Sequence, residues 1–288
     1  MLVTGAGGMV AREVLAAAGT LGWEVTARNH AELDITDAKS VRTCLIGTTP
    51  DLVLNAAAMA QVDVAESEPD VARRVNAEGP GWLADACSSA GIPLIHLSTD
   101  YVFDGKARRP YRPEDPPKPL GVYGRTKWEG EEAVRRRLER HLIVRTSWVY
   151  SPHGNGFFNA IVRLAHEQET IRAVADQCGS PTLAADLARA LLTAAASAMT
   201  RSDLWGTYHF CNQGETTRYE FAAAIVAGLA GRPGVVCRSV VPIPTSEHPR
   251  PAPRPAYSVL DTSTWTTAFG QIPRRWQDGL SDALCQLS

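Results

Sequence analysis

The chain has 288 residues and a formal net charge of -2, with 29 Lys plus Arg against 31 Asp plus Glu. This length allows one large domain or two smaller ones, and the balanced charge excludes the basic excess of a nucleic-acid-binding protein. Apolar runs such as 190–196 are too short to span a membrane and no signal-peptide pattern opens the chain, so the sequence predicts a cytoplasmic protein without membrane partners.

Short apolar segments alternate with helical patterns through the first half of the chain. The patterns predict strands over 2–4, 23–27, 51–55 and 93–98, with helices over 8–21, 39–46 and 70–90 between them. Continuous apolar strands are typical of a parallel sheet that is covered on both faces. We therefore expect a Rossmann-type α/β fold with a doubly wound parallel sheet.

The second half is more often interrupted by proline. Five prolines make 108–120 a surface loop, and the chain then predicts a helix over 123–139, a strand over 141–149 and helices over 157–169 and 184–199. Repeated prolines between 233 and 255 favour irregular, substrate-covering structure over further sheet. We expect residues 1–150 to bind the nucleotide, 183–235 to return to that domain, and 151–288 to form mainly a smaller substrate-binding region, especially 151–182 and 236–270.

A glycine cluster follows the first predicted strand and opens the first helix. It fits the frame G-x-x-G-x-x-A, in which Gly5 permits a tight turn, Gly8 lets the backbone approach a pyrophosphate, and Ala11 allows close packing of helix on strand. A helix N-terminus favours the phosphates. The placement between strand and helix predicts a dinucleotide site.

The end of the second predicted strand carries an arginine and no carboxylate. Arg28 can bind a 2'-phosphate that an acidic residue would repel, so we expect NADPH to be preferred over NADH. A solvated surface role for Arg28 stays open. Further on, Asp34 could accept a hydrogen bond from the adenine amino group while Ile35 packs on the ring.

Tyr123 and Lys127 stand four residues apart on a predicted helix and so lie on one face. A nearby ammonium stabilises a phenolate and lowers the pKa of the tyrosine, and the lysine can also hold the nicotinamide ribose. Upstream, Thr99 and Asp100 end the fourth predicted strand, at the edge where such sheets bind ligands. The charged run 129–140 predicts the solvated face of the catalytic helix.

Several stretches of the chain together form a pattern that extends over nearly its whole length; they are 55–58, 62–63, 65–66, 98–105, 123–127, 145–150, 176–182, 254–255, 258 and 260–261. In these stretches the chain resembles the dTDP-4-dehydrorhamnose reductase family of extended short-chain dehydrogenases/reductases.

The resemblance implies a role for each matching residue. Tyr123 would be the proton donor, Lys127 its activator, and Thr99 the hydroxyl that hydrogen-bonds the sugar carbonyl. Asp100 and Trp148 would contact the substrate. The implied reaction is hydride transfer from reduced nicotinamide to the 4-keto carbon of a dTDP-linked 6-deoxyhexose, which predicts an NADPH-dependent oxidoreductase, with NADH as a second acceptable cofactor.

The same resemblance supplies cofactor contacts and one further substrate contact. Gly8, Met9 and Val10 would lie at the phosphates. Ala58, Met59 and Ala60 would line the nicotinamide side, although the sequence 59–61 departs from the usual polar pattern, so contacts there would be through the backbone. Arg254 would grip the nucleotide diphosphate, with a surface salt bridge as its alternative.

Some alternatives stay open from the sequence. Asn76 could brace the backbone or hold an active-site water, and His96 and Cys178 are expected in the core or behind the site. Some family members bridge a homodimer through Mg²⁺, and Glu13 lies in the matching helix, but no other ligands are identified. Three rival functions stay open: a reductase for another dTDP-deoxysugar of an antibiotic pathway, a sugar-nucleotide epimerase, and a non-catalytic regulatory subunit of the same fold. A dehydratase is disfavoured, because Tyr101 stands where that enzyme needs an acid.

Overall fold

A computed structural model describes residues 1–287. The strands are β1 Leu2–Thr4, β2 Thr26–Arg28, β3 Val53–Asn55, β4 Leu94–Thr99, β5 His141–Thr146, β6 Val149–Tyr150, β7 Thr170–Val174, β8 Cys178–Gly179, β9 Thr182–Leu183, β10 Gly206–His209, β11 Thr216–Thr217 and β12 Ser239–Ile243. The α-helices are α1 Met9–Ala18, α2 Ala38–Thr48, α3 Val62–Ser67, α4 Pro69–Arg73, α5 Gly79–Ala90, α6 Val122–Arg137, α7 Phe157–Glu167, α8 Ala184–Thr200, α9 Arg218–Leu229, α10 Ser263–Phe269 and α11 Trp276–Cys285.

Six parallel strands form the central sheet in the order β10-β5-β4-β3-β1-β2. The chain winds outward in both directions from β1, so the strand order reverses between β1 and β3. Ligands bind at such a switch point, beyond the carboxyl ends of the strands. In register, Thr4 lies between Arg28 and Asn55 at that edge. The expected doubly wound Rossmann-type fold is confirmed.

Helices cover both faces of the sheet because apolar side chains project from each face of its strands. One core packs the sheet against α1 and α8, with α10 contributing the fully buried Trp265. The opposite core packs it against α2, α5 and α6. The segment that contains α8 and β10 therefore returns to the central sheet.

A second, smaller core is built from α7, α9 and α11 around the two-stranded parallel sheet of β7 and β12. Its aromatic centre includes Tyr150, Phe158, Phe221 and Trp276. Helix α9 packs here, against α7 and β7, and not on the central sheet. No helix within residues 1–287 is both long enough and apolar enough to cross a membrane.

Two local predictions were wrong in their bounds and a third in the type of structure. The second strand was expected over 23–27 and is observed at Thr26–Arg28. The strand expected over 141–149 breaks after Thr146, because Trp148 adopts a φ of 45°. The proline-rich segment, expected to be irregular, forms strand β12. Since β12 pairs only with β7 in a two-stranded sheet, it is an edge strand, which tolerates Pro242.

Candidate active site

The turn after β1 has the geometry of a phosphate-binding loop. Gly5 has a φ of 72°, and a Cβ there would lie 2.8 Å from the Ala57 backbone, so both conformation and space require glycine. Gly8 caps α1 without a side-chain cap, and Met9 and Val10 form its first turn. The first N–H groups of a helix lack intrahelical partners. The loop therefore fits the phosphates of a dinucleotide.

Arg28 ends β2 beside this turn. Its guanidinium lies 3.6 Å from Glu32, and both side chains are more than one-third exposed. The two residues border a shallow cavity of about 620 Å³ that Lys39 and Ser40 also line. A loose, exposed ion pair leaves the guanidinium available to an anionic ligand.

The two predicted adenine contacts are held by local structure. Asp34 accepts hydrogen bonds at one carboxylate oxygen from the Thr36 amide (2.9 Å) and hydroxyl (2.8 Å). Ile35 is only 4% exposed and packs against Gly79. Core packing thus leaves Ile35 little surface for a purine ring, and the turn already occupies one oxygen of Asp34.

The loop that carries Ala58, Met59 and Ala60 follows β3 and is braced from behind. Asn76 accepts a hydrogen bond from the Met59 amide (2.9 Å) and donates one to the Met59 carbonyl (3.1 Å). It lies in a π-helical turn, 74–78, between α4 and α5. Of the two roles open to Asn76, the structure gives it the bracing of backbone.

Helix α6 lies directly on the turn that follows β4. A Cβ on Gly124 would overlap the Tyr101 carbonyl oxygen, so glycine allows the close approach. As a result Tyr123 packs edge-to-face on Tyr101, with ring centroids 5.6 Å apart, and lies beside Thr99. The structure therefore brings the predicted Thr99 and Tyr123 together at the carboxyl end of β4.

Lys127, one turn along α6, is buried with 2% exposure. Its Nζ donates to the Leu97 carbonyl (2.6 Å) and lies 3.4 Å from His96 Nε2. Burial lowers the pKa of Lys127 to about 8, although Glu131 opposes the shift. The amine therefore loses its proton far more readily than a lysine in water.

The pKa of Tyr123 is raised overall, not lowered as its pairing with Lys127 predicted. Burial raises the pKa of Tyr123 above its ordinary value, and Thr99 offsets only part of the rise. The free-energy cost of removing the phenolate from water exceeds the stabilisation that the neighbouring groups provide. Tyr123 is thus fully protonated at neutral pH, the form that a proton donor needs.

Asp100 lies beneath this pair and is 1% exposed. One carboxylate oxygen accepts a hydrogen bond from Thr99 (3.0 Å), while the other has no hydrogen-bond partner within residues 1–287. Burial raises the pKa of Asp100 to about 6, despite the opposing effects of Ser258 and Thr99. A buried carboxyl with one unpaired oxygen is a candidate for direct contact with a ligand.

Trp148 faces the same cleft and holds an arginine that the sequence analysis missed. Its backbone φ of 45° turns the indole onto Gly179, and the Arg218 guanidinium stacks on the indole 3.5 Å from the ring centroid. Arg218 begins α9 and also lies 5.0 Å from the Phe157 ring centroid. In the described part of the chain no carboxylate lies within 4 Å of this guanidinium. No sequence motif marks Arg218, because only the fold brings α9 to the cleft.

Arg218 and Arg254 line a cavity of about 730 Å³ together with Tyr101 and Arg172. Arg254 is 17% exposed at its side chain and donates to Asp63 at 2.9 Å. The salt bridge foreseen as the alternative for Arg254 is therefore present, in a cavity wall rather than on an open surface. Positive charge thus predominates among the charged side chains that line this cavity.

A buried ion pair fixes α6 to the sheet. Glu131 is fully buried and accepts from Ser98 (2.5 Å) and, at both oxygens, from Arg145 (2.8 and 2.7 Å). The guanidinium of Arg145 holds the pKa of Glu131 at about 2 against the opposing effect of burial. The expectation that 129–140 is uniformly solvated was wrong for Glu131, because this face of α6 turns toward β4 and β5.

The matching family model is that of the RmlD substrate binding domain, over residues 1–288. The chain belongs to this family. An RmlD-family relative, a dTDP-4-dehydrorhamnose reductase of Streptomyces griseus, is 43% identical over 99% of this chain and 93% of its own length.

Two solved structures agree with this membership. A dTDP-4-dehydrorhamnose reductase of Clostridium acetobutylicum has a TM-score of 0.92 at 36% identity, covering 99% of this chain and 98% of that one. The enzyme of Bacillus anthracis, in complex with NADP, has a TM-score of 0.91 at 32% identity with the same coverage of both chains. The resemblance read from the sequence is confirmed.

The Mg²⁺ site that the resemblance raised as an expectation has no identifiable ligand set in the part of the chain that this structure describes. Within residues 1–287, no three His, Cys, Asp or Glu side chains are arranged to hold a metal ion. Glu13 instead accepts a hydrogen bond from Ser151 (3.2 Å), which ties α1 to the segment after β6.

Proposed function

We propose that this chain is an NADPH-dependent oxidoreductase that reduces the 4-keto group of dTDP-4-dehydro-L-rhamnose to give dTDP-L-rhamnose. The observation that carries the proposal is the convergence of Tyr123 and Thr99 at the carboxyl end of β4, with Lys127 behind them and the glycine turn beside them. Relatives named for this reaction, matched over nearly the whole chain, support the choice of substrate.

The cofactor supplies a hydride when it is bound, and the chain supplies the remaining groups. Tyr123, protonated at neutral pH, donates its phenolic proton to the oxygen that becomes the 4-hydroxyl. Thr99 orients that oxygen from the end of β4. Lys127 holds the nicotinamide ribose and, as an ammonium, stabilises the phenolate that Tyr123 leaves behind.

The residues around the glycine turn fit NADPH. Gly5 and Gly8 admit the pyrophosphate to the first turn of α1, where Met9 and Val10 present backbone N–H groups. Arg28 is available to the 2'-phosphate, since its ion pair with Glu32 is exposed and long. Ala58, Met59 and Ala60 would contact the nicotinamide side through the backbone. Asp34 and Ile35 would at most border the adenine.

The second core and its cavity would bind the sugar nucleotide. We assign the sugar to the space between Asp100 and Trp148, and the diphosphate to Arg218 and Arg254 in the adjoining cavity. Residues 1–150 with the returning segment of α8 and β10 would thus hold the cofactor, and most of 151–287 the substrate. We also propose that the protein is cytoplasmic and that it forms a homodimer, as the resemblance implies. Light scattering tests the homodimer.

The decisive experiment replaces the proton donor. Tyr123→Phe should bind NADPH as the natural chain does and lose about 10²–10⁴-fold in kcat, the usual worth of general acid catalysis. Tyr208→Phe, on β10 at the far edge of the sheet, is the matched control and should keep full activity. Near-normal turnover by Tyr123→Phe would refute the assignment.

Product analysis distinguishes the substrate. Purified protein is offered NADPH with dTDP-4-dehydrorhamnose or with its C3 and C5 epimers, and the product is identified by NMR. We expect dTDP-L-rhamnose to form fastest. Faster turnover of an epimer would favour an antibiotic-type ketoreductase, tightly bound and recycled nicotinamide would favour an epimerase, and no turnover with any of these sugars would favour a regulatory subunit.

A further inference from the structure

A chain of buried polar side chains connects the cofactor turn to the catalytic lysine. Thr4 and Asn55 end β1 and β3, and His96 lies beside Asn55 within β4; all three are fully buried, and Lys127 meets them from α6. Successive members lie within 3.4 Å of one another. Because every member is shielded from water, the direction of each hydrogen bond constrains the next.

The first constraint is the orientation of the Asn55 amide. Asn55 Oδ1 lies 3.2 Å from the Ala57 backbone N–H and 2.6 Å from the Thr4 hydroxyl. The Ala57 N–H, which also approaches the Thr4 hydroxyl oxygen at 3.3 Å, only donates, and an amide nitrogen 3.2 Å from it would set two donors against each other. The Asn55 atom that faces Ala57 is therefore the amide oxygen. The amide nitrogen of Asn55 therefore faces His96 Nδ1, at 3.0 Å, and donates to it.

The second constraint is the tautomer of His96. Burial holds the pKa of His96 well below its ordinary value. The positive charge of Lys127, with smaller contributions from Arg135 and His141, also opposes protonation of the ring, and Glu131 favours it. The ring is therefore neutral and carries one N–H. Since Nδ1 accepts from Asn55, that hydrogen must lie on Nε2, which faces Lys127.

The third constraint falls on the lysine. An ammonium has three hydrogens and no lone pair, so it cannot accept the N–H of His96. A free amine can accept from His96 Nε2 while donating to the Leu97 carbonyl, which lies 2.6 Å from Nζ. The charged group that faces Lys127 from its own helix is Glu131, which favours the ammonium. His96, from β4, acts in the opposite direction.

We propose that His96, held in its Nε2–H tautomer by Asn55, is a positioning residue that favours the free-amine form of Lys127 and orients its lone pair. The buried polar chain thereby sets the proton affinity of the lysine. It also couples that lysine to the loop that binds the cofactor, because Thr4 directly precedes Gly5.

The consequence for turnover rests on the proposed function. If the ammonium of Lys127 stabilises the Tyr123 phenolate, activity falls as pH rises through the pKa of Lys127, about 8. Loss of the His96 donor raises that pKa and moves the alkaline limb of the kcat/KM profile to higher pH.

The test measures the lysine directly and needs no substrate. The chain has only four lysines, and the other three, Lys39, Lys106 and Lys118, are exposed, so a ¹³Cε-lysine NMR titration resolves Lys127. In His96→Asn the new carbonyl can still accept from Asn55, but nothing replaces the Nε2–H. We expect the Lys127 pKa to rise by about one unit, a tenfold change in its acid constant, with the alkaline limb following it.

Ile95→Val is the matched control, since it removes one buried methyl group from the same strand and leaves every polar group in place. Its Lys127 pKa should equal that of the natural chain. An unchanged pKa in folded His96→Asn overturns the proposal. If that variant does not fold, ¹⁵N-histidine spectra of the natural protein decide: the Nε2–H tautomer supports the proposal and the Nδ1–H tautomer overturns it. A shifted lysine without reductase activity would refute only the proposed function.

Discussion

Replacing Asp100 with Asn should stabilise the protein while it impairs catalysis. Asp100 is 1% exposed, and one of its oxygens has no hydrogen-bond partner among residues 1–287. Burial therefore penalises the carboxylate, and the pKa rises from 3.8 to about 6. An amide of the same shape carries no charge, so it avoids this penalty at every pH.

The magnitude follows from proton linkage. Because the folded pKa is raised, the unfolded chain ionises first, and stability is lost as pH increases from about 4 to about 6. A shift of about two units amounts to about 3 kcal/mol once both states are ionised. About half of that loss has occurred at pH 5, so the stability difference between Asp100→Asn and the natural chain should grow by about 1.5 kcal/mol from pH 5 to pH 7.5.

Urea unfolding at these two pH values measures the difference. The increase with pH is the sharper readout, because the new amide hydrogens add a constant cost of about 1 kcal/mol where they lack a partner. Asp115→Asn is the control: its pKa is lowered to about 2, mainly by Arg109, so its effect should stay constant between pH 5 and 7.5. Reductase kcat/KM should fall in Asp100→Asn only. A pH-independent stability difference in Asp100→Asn would refute the reasoning.

Three further substitutions test the cofactor loop and the anchor of α6. Gly5→Ala should lower the free energy of unfolding in urea by more than about 1 kcal/mol and raise the KM for NADPH. Gly22→Ala is the control, because Gly22 has nearly the same φ, 73°, but no atom lies near its added Cβ. It should show only the free-energy cost of the left-handed backbone conformation. Glu131→Gln should lower the free energy of unfolding by about 3–5 kcal/mol at pH 7, because it leaves the buried Arg145 without its ion-pair partner. This loss should become smaller as pH falls below 4.5 toward 2, where the carboxyl of the natural chain is protonated as well. The partly exposed Glu132→Gln is the control and should lower the same free energy by less than about 1 kcal/mol. Arg28→Ala should reduce the ratio of kcat/KM for NADPH over NADH by about 10–100-fold, the worth of a charge-assisted hydrogen bond, and an unchanged ratio would assign the 2'-phosphate to another group.

Periodicity and glycine spacing were sufficient to predict the fold, and they indicated the glycine turn and the Tyr/Lys pair of the candidate site. The order of strands and helices, the turn at Gly5 and the one-turn separation of Tyr123 and Lys127 are all local properties of the chain. Such features are decided within a few residues, so a single sequence contains them. The end of the fourth predicted strand indicated Thr99, and the resemblance then added Trp148, which no spacing rule would have selected.

What the sequence could not predict depends on contacts between distant segments. Glu131 lies in a run of charged residues, and only the packing of α6 on β5 shows that it faces Arg145. Arg218 reaches the cleft because α9 packs on the second core rather than on the central sheet. The pKa of Tyr123 depends on its burial, which the Tyr-x-x-x-Lys pattern does not encode.

The buried charged groups on and beside helix α6 differ in how they are compensated, and this difference separates support from chemistry. Glu131, one turn beyond Lys127, and Arg145 satisfy each other through two hydrogen bonds, so replacing either partner would leave the other buried and unpaired. Nearer the start of the helix, Lys127 has a lowered pKa, and Asp100, which follows β4, keeps an oxygen unpaired. Uncompensated buried groups cost stability and are typical of functional sites. The ion pair of Glu131 with Arg145 thus anchors the helix whose first turns present Tyr123 and the less well compensated Lys127.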